Sequence, residues 1–455
     1  MRFPGWPTPK PRQQFAPGLY AFERQDNGAK SQIHLRVDPD LSGLLLINAS
    51  RVMHLNPSAA AIAWHHLNRL PLEDGLAKVA RLFNEPRDML RGDYLSLADQ
   101  IDALIDPNSE ACPLCDLALE TRQPFSAKLS APYRMDLAIT YRCNNDCAHC
   151  YNARERNYPE LDTDAWKAVI DKLWAIGIPH LVFTGGEPTL RKDLPDLVAY
   201  AQGLGMITGI NTNGRALKDP ELVESLLKAG LDHVQITLES SVQSTHNQMV
   251  RNTRAWEETV AGLRNVLQTR LFVMTNTTLL RNNVEELSEI LNFLAKEGVP
   301  TVGINALIYS GHGATVSTGI DEKDLPPLLD LAQKITQENG QKLIWYTPTQ
   351  YCHFNPISLG LGVKGCSAAY YNMCIEPDGK VIPCQSYYEP VGDILTDTWL
   401  QIWEHPLCLS LRERRDVPTA CKLCDYLSEC GGGCPLAREH QCPTPIQNEI
   451  VILEE

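Results

Sequence analysis

The sequence predicts an α/β protein in three parts: a partial (β/α)6 barrel, a small winged-helix-like α+β domain before it, and a cysteine-rich domain after it. Three observations carry this. Between residues 134 and 340, apolar strand patterns alternate with helical ones six times. Ahead of that stretch a pair of strand patterns leads into three helical ones. The fifteen cysteines are grouped, with two at 112–115, three at 143–150, none from 151 to 351 and ten from Cys352 to Cys442. The expected boundaries are an extended segment over 1–29, the small domain over 30–110, a linker over 111–133, the barrel over 134–340 and the last domain over 341–455.

In chain order, residues 1 to about 20 are rich in Pro and Gln and read as extended. Ile33, Leu35 and Val37 alternate with polar residues, as a half-buried strand requires, and Leu44–Ile47 forms its partner after the turn at Pro39–Gly43. Asn56 suits a helix N-cap, Pro57 the first helical position, and Ala60, Ile62, Ala63 and Leu67 give helical spacing. Further helices are expected at 74–83 and 94–105. The barrel strands are expected near 135–140, 180–184, 206–211, 233–237, 271–277 and 301–306. The helices between them fall near 164–176, 193–204, 220–229, 255–268 and 284–297, with a last one near 324–338. Strands joined by helical crossovers form a parallel sheet with right-handed connections, and its ligands sit at the carboxyl ends of the strands. Residues 341–455 lack long periodic helices, so burial alone is not expected to fold them and bound metal would have to help.

Composition narrows the function. A 44% hydrophobic chain of 455 residues supports several cores, and a formal net charge of -14 argues against general nucleic-acid affinity. The first residues lack an apolar run of signal-peptide length and no run reaches a membrane span, so a cytoplasmic protein with no membrane partner is expected. In a reducing compartment so many cysteines read as metal or cluster ligands rather than disulfides.

Cys143, Cys147 and Cys150 stand as C-x3-C-x2-C directly after the apolar run Met135–Ile139. Three thiolates can hold three irons of a cubane and leave the fourth open for chemistry, whereas four would close the site. The spacing resembles the signature of radical S-adenosylmethionine (radical SAM) enzymes. The second strand ends in Gly185, Gly186, Glu187 and Pro188, which resembles that family's cosubstrate motif, with glycines allowing close backbone approach. Thr212 and Asn213 end the third strand and are expected to face the barrel mouth; Thr237, Glu239 and Ser240 end the fourth, Asn276 the fifth, and Gly303 and Asn305 lie on the sixth. The family often has an aromatic before its third cysteine; here it is His149, whose ring could pack on adenine. The resemblance, over residues 135 to about 310, implies reductive cleavage of S-adenosylmethionine at a [4Fe–4S] cluster and hydrogen abstraction by a 5′-deoxyadenosyl radical.

The tail carries Cys421, Cys424, Cys430 and Cys434 as C-x2-C-x5-C-x3-C, preceded by Cys366, Gly379 and Cys384 and followed by Cys442. This resembles the SPASM domain, an iron–sulfur cluster domain, and implies two auxiliary [4Fe–4S] clusters. Carried over by position, Cys352, Cys366, Cys384 and Cys434 hold one, with Cys374 the rival to Cys352, and Cys421, Cys424, Cys430 and Cys442 hold the other. Cys112 and Cys115 are two thiols, too few for a closed site, and read as core or surface thiols or as a redox or metal pair.

The run Leu55, Asn56, Pro57, Ser58, Ala59 within the small domain resembles PqqD-like domains, the recognition elements that take a precursor peptide's leader as an added strand. The combination implies a peptide maturase that crosslinks, epimerises or oxidises a ribosomally made precursor, with a flavodoxin or ferredoxin as reductant. The alternative is a radical SAM enzyme acting on a small molecule such as a tetrapyrrole in haem or haem d1 formation.

Overall fold

The computed structural model describes residues 14–26, 29–48, 51–105, 129–152 and 154–438. The alternation at Ile33, Leu35 and Val37 becomes β2 (Ala29–Val37), with those three side chains in the core. It sits in a four-stranded antiparallel sheet ordered β1 (Gly18–Asp26), β2, β3 (Gly43–Ile47) and β4 (Arg51–Leu55). The strand pair expected from the sequence is therefore half of the sheet, and part of the tail read as extended is β1. Both extra strands are short on aliphatic residues: β1 buries Leu19 and Tyr20 and then turns polar from Glu23 to Asp26, and β4 buries only Met53 and Leu55. β4 runs into α1 (Pro57–Leu67), whose cap is the one the sequence proposes: the Asn56 side chain accepts the Ala59 N–H at 2.8 Å. α1 lays Ala60, Ala63, Trp64 and Leu67 on the sheet, and α2 (Leu72–Phe83) and α3 (Arg87–Ile105) complete the unit.

The barrel follows the predicted alternation: β5 (Arg134–Thr140), α4 (Thr163–Ile176), β6 (His180–Gly185), α5 (Leu194–Leu204), β7 (Ile207–Thr212), α6 (Pro220–Ala229), β8 (His233–Thr237), α7 (Gln243–Met249), α8 (Ala255–Leu267), β9 (Phe272–Thr278), α9 (Leu287–Glu297), β10 (Thr301–Asn305) and α10 (Pro326–Glu338). The polar helix α7, QSTHNQM, has no apolar stripe and was not foreseen. The six strands lie side by side in parallel, β5 to β10.

The sheet is longer than six strands. β11 (Lys342–Trp345) adds in parallel beyond β10; at the other edge β12 (Asn372–Ile375) pairs in parallel with β5, and β13 (Lys380–Ile382) and β14 (Gly392–Asp393) follow antiparallel. Residues after 341 thus join the same ten-stranded sheet. Met373, Ile375, Val381, Ile394, Ile402 and Trp403 share one apolar cluster with Met135 and Leu137. The tail has more apolar burial than its sequence suggests: its strands of two to four residues and the helices α11 (Trp399–Trp403) and α12 (Pro406–Glu413) are too short to leave a periodic signal, yet they add Ile375, Val381, Ile402, Trp403 and Cys408 to the core that holds β5.

The small domain docks through one face of β2. Gln32 Nε2 donates to Asp232 Oδ1 at 2.8 Å, His34 Nε2 to the Gly205 carbonyl at 2.6 Å, and Arg36 Nη1 to the Ala131 carbonyl at 3.0 Å. Gly205 and Asp232 lie in the turns that enter β7 and β8, so the domain covers the amino ends of the barrel strands. The cysteine loop leaves the opposite, carboxyl end of β5.

His34 is 1% exposed, and burial lowers its pKa from 6.5 to about 4. The unfolded chain then binds more protons than the folded one between those values, so stability is full above about pH 6.5 and is lost as pH falls towards 4, by up to about 3 kcal/mol for this one group. Thermal unfolding followed from pH 7 to 4.5 should show the loss, and His34→Gln, which keeps a donor for Gly205 but does not titrate, should flatten the curve. An equally steep curve in the variant would show that other groups set it.

Candidate functional site

The loop after β5 holds Cys143, Cys147 and Cys150 in a cage of backbone contacts. Cys143 Sγ accepts the Asn145 N–H at 3.4 Å, and the Cys150 N–H donates to the Cys147 carbonyl at 3.2 Å. Asn213 Nδ2 donates to Asn144 Oδ1 at 2.6 Å and Asn252 Nδ2 to the Asn144 carbonyl at 3.0 Å. Arg215 Nη1 donates to that same carbonyl and to Asn145 Oδ1, the latter at 2.9 Å, and Arg156 Nη1 to the Tyr141 carbonyl at 3.1 Å. From α7 and the residue after it, Met249 and Val250 offer carbonyls to Ala148 and Asp146. Burial pushes the Cys143 thiol up to about 11, raises Cys150, and raises Cys147 further with Cys150 and Cys143 adding to it. Three mutually repelling sulfurs in a desolvated loop need cationic iron to become thiolates, and this donor set fits a cluster. Among the described residues no three His, Cys, Asp or Glu groups converge tightly enough for a single metal ion, so the triad is spread more widely than one ion requires.

The Gly185–Pro188 turn packs directly on this loop. Gly186 N–H donates to the Thr140 carbonyl and Glu187 N–H to the Arg142 carbonyl, each at 2.8 Å. A Cβ on Gly186 would sit 2.4 Å from the Arg142 oxygen and 2.5 Å from the Tyr141 oxygen; Gly185 has φ 131° and a Cβ there would lie 2.0 Å from the Thr140 oxygen. The glycines are required by the contact between the two loops, before any ligand is considered. Glu187 is fully buried: Oε1 accepts the Thr189 N–H at 3.1 Å, the Thr189 hydroxyl at 2.5 Å and the Thr212 hydroxyl at 2.6 Å, and Oε2 accepts the Asn213 N–H at 2.7 Å. Burial raises its pKa while these donors oppose the rise. Thr212 therefore turns to Glu187 and not into the mouth, while Asn213 reaches Asn144 and comes within 4.0 Å of Cys143 Sγ.

His149 is 8% exposed and engaged edge-on: Nε2 meets Glu239 Oε1 at 2.9 Å, and Glu239 Oε2 accepts the Thr278 N–H at 2.8 Å. Glu239 thus binds the cysteine loop to β9, and Ser240 donates its hydroxyl to Glu286. Asn305 Nδ2 donates to the Ala306 carbonyl at 2.9 Å. Thr237, Asn276 and Gly303 behave differently. Thr237 is partly exposed and paired in register with Asn276, which is itself opposite Gly303. Asn276 Oδ1 is buried with no partner, 3.2 Å from where a Gly303 Cβ would stand. An orphaned acceptor beside a glycine fits a ligand carrying amine or hydroxyl donors, as S-adenosylmethionine does. Pro188 is buried at the start of a single 3-10 turn and has a structural role.

In the tail, Cys366, Cys384 and Cys434 lie within electrostatic reach: Cys366 helps raise both other thiols, Cys434 to about 12, beyond the larger effect of burial. Cys430 Sγ accepts the Tyr351 N–H at 3.4 Å, next to exposed Cys352, and Cys421 and Cys424 share a turn. Cys374 is 1% exposed in an apolar cluster with Ala138, Tyr141 and Ile382. Cys112, Cys115 and Cys442 lie outside the described residues. Sequence reasoning missed Arg156, Arg215 and Asn252, which clamp the cysteine loop; only Arg215, directly after Asn213 and Gly214, carried a positional hint. Gly186→Ala should push the cysteine loop away through two backbone oxygens and lower the iron content of the reconstituted protein. Gly92→Ala, whose Cβ would meet nothing within 4 Å, should leave it unchanged. Full iron loading of Gly186→Ala would show that the loop tolerates displacement.

Residues 137–294 match the radical SAM superfamily, and residues 366–425 match SPASM, an iron–sulfur cluster-binding domain. The chain is 29% identical over 327 residues to an Fe-coproporphyrin III synthase of Methanosarcina barkeri, spanning 65% of this chain and 81% of that protein. It is 28% identical over 320 residues to the PqqA peptide cyclase of Gluconobacter oxydans, spanning 67% and 86%. Its fold matches SuiB of Streptococcus suis, solved with the precursor peptide SuiA, at a TM-score of 0.67 and 15% identity, over 93% of this chain and 97% of that one. No helix among the described residues is long and apolar enough to cross a membrane. The chain carries a radical SAM domain, which implies S-adenosylmethionine and a [4Fe–4S] cluster, followed by a SPASM domain, which implies auxiliary clusters.

Proposed function

We propose that this protein is a radical SAM peptide maturase that modifies a ribosomally synthesised precursor peptide. The observation that carries this is the small domain docked beneath the barrel. The match to SuiB, a structure that contains a precursor peptide, extends over that domain, whereas the haem-pathway relative and the PqqA cyclase align with about two thirds of the chain. Among the described residues β4 is an edge strand, paired only with β3, and beside it a cavity of about 260 Å³ is lined by Asp38, Ser42, His54, Leu55, Asn56 and Pro57. An edge strand next to a pocket suits an extended peptide: main-chain partners on one side and room for alternate side chains on the other. We read the domain as PqqD-like on these grounds.

When bound, the cluster and S-adenosylmethionine supply a 5′-deoxyadenosyl radical. The chain's own residues hold and shield them. Cys143, Cys147 and Cys150 are assigned as ligands of three irons. Asn213, Arg215 and Asn252 hold their loop at Asn144 and Asn145, and Glu187 fixes Asn213. Asn276, with Thr237 and Gly303 beside it, offers the open acceptor that would orient the cosubstrate. His149, held by Glu239, covers the loop from the side. In the tail, Cys352, Cys366, Cys384 and Cys434 are assigned to one auxiliary cluster and Cys421, Cys424, Cys430 and Cys442 to another, giving three clusters per chain and an oxidoreductase chemistry fed by a flavodoxin- or ferredoxin-like donor. The small-molecule reading stays specific through the coproporphyrin-handling relative.

Two outcomes are expected. Replacing Cys143, Cys147 and Cys150 with alanine should abolish 5′-deoxyadenosine formation under reducing conditions and leave the tail's iron in place; turnover in that variant would refute the ligand assignment. In hydrogen exchange, the amides of Arg51–Leu55 should gain protection when a short peptide encoded in a neighbouring reading frame is added. No protection there, together with tight binding of iron coproporphyrin, would move the assignment to the small-molecule class.

A further inference from the structure

The loop that follows Cys150 and the loop that follows Cys384 are joined by a partly buried chain of hydrogen bonds that the cysteine assignments leave unused. Tyr151, next to Cys150, donates its hydroxyl to Gln385 Oε1 at 2.6 Å. Gln385, next to Cys384, donates Nε2 to Asp136 Oδ2 at 2.6 Å. Asp136 lies on β5, is fully buried, and pairs with Arg134, whose Nε stands 3.0 Å from Oδ1.

The direction of this chain follows from donor and acceptor chemistry. A carboxylate only accepts, so Asp136 must receive the amide nitrogen of Gln385. The amide oxygen then has to face Tyr151, and the phenol has to donate to it. Asp136 thereby sets which end of Gln385 meets the cysteine loop, and its ion pair with Arg134 holds it in place. Other contacts clamp the same two loops: Tyr388 donates its hydroxyl to the Tyr151 carbonyl, Ser310 donates to the Ser386 carbonyl at 2.7 Å, and the Arg154 guanidinium lies 4.3 Å from the centre of the Tyr388 ring.

We propose that Tyr151 and Gln385 are positioning residues that lock the Cys150 loop to the Cys384 loop and carry single electrons between the clusters those loops hold. This rests on both loops holding clusters, as assigned above. From Cys150 the path runs along the backbone into the Tyr151 ring, crosses one short hydrogen bond to Gln385, and returns along the backbone to Cys384. One electron leaves the reduced cluster and enters the oxidised one; no bond is made or broken and no proton is required. Asp136 acts only by holding Gln385 in the accepting orientation.

The test uses the reconstituted full chain and no peptide. A photoreduced flavin delivers electrons, and freeze-quenched electron paramagnetic resonance follows how they redistribute between the barrel and tail clusters. Tyr151→Phe removes one oxygen and keeps the ring, and Gln385→Leu removes the amide. Each should slow redistribution several-fold with unchanged iron content and unchanged midpoint potentials. Because both act through one hydrogen bond, the double variant should be no slower than either single one. An unchanged rate in Tyr151→Phe at full iron loading would overturn the bridge alone. Additive slowing in the double variant, or iron loss in Tyr151→Phe, would overturn it by reducing these residues to packing. A tail that binds no iron would overturn it together with the auxiliary-cluster assignment.

Discussion

The barrel mouth depends on the Glu187 carboxylate. A buried charge costs several kcal/mol unless its lone pairs are filled, and here four donors from two elements fill them: two from Thr189, one from Thr212 and one from the Asn213 backbone. Because Glu187 N–H also donates to the Arg142 carbonyl, the same residue ties the β6 loop to the cysteine loop on one side and to the β7 loop on the other. Asn213, once fixed, holds Asn144, and Arg215 behind it holds Asn144 and Asn145. Removing a single donor leaves part of a buried charge unpaired, worth about 1–3 kcal/mol, and the displacement passes to the sulfurs directly. The mouth is therefore rigid before anything binds.

That rigidity explains which site residues the sequence made legible. The C-x3-C-x2-C spacing and the Gly-Gly-Glu-Pro turn stand out because each is local: the residues that must lie together in space lie together in the chain. The barrel was legible for the same reason, since six amphipathic strand–helix units each carry their own period. What the sequence could not show is which polar strand-end residues serve the frame and which remain open. Thr212, Glu239 and Ser240 look like Asn276 in the sequence, yet the first three are consumed by Glu187, His149 and Glu286, and only Asn276 keeps an unmatched oxygen. Nothing local separates the two kinds, because their partners come from 25 to 90 residues away.

The tail was misread in a way that has a physical cause. Periodicity measures long elements, and strands of two to four residues have none to measure. β12 pairs with apolar β5, which sets Met373 and Ile375 in register with Met135 and Leu137, and β13 and β14 extend the sheet from β12. A short strand added to an existing sheet gains burial on a surface whose ordering is already complete, which is cheaper than nucleating a sheet of its own.

This placement also decides how the two cysteine regions meet. β12 runs parallel to β5 and β13 returns antiparallel beside it, so Cys384, just after β13, lies by the amino ends of β12 and β5, and Tyr151 and Gln385 span from there to the loop at the carboxyl end of β5. Asp136, in register with Cys374 across that pairing, presents its carboxylate on the face where the two loops converge. Sheet register, a property of backbone hydrogen bonds, thus sets the distance between residues nearly 250 positions apart in the chain. A slip of one residue in the β5–β12 pairing would turn Met373 and Ile375 out of the core and would also carry Gln385 away from both Asp136 and Tyr151. The apolar face of β12 therefore protects the polar bridge: register is enforced where burial is strongest, and the hydrogen-bonded chain between the cysteine loops inherits that precision.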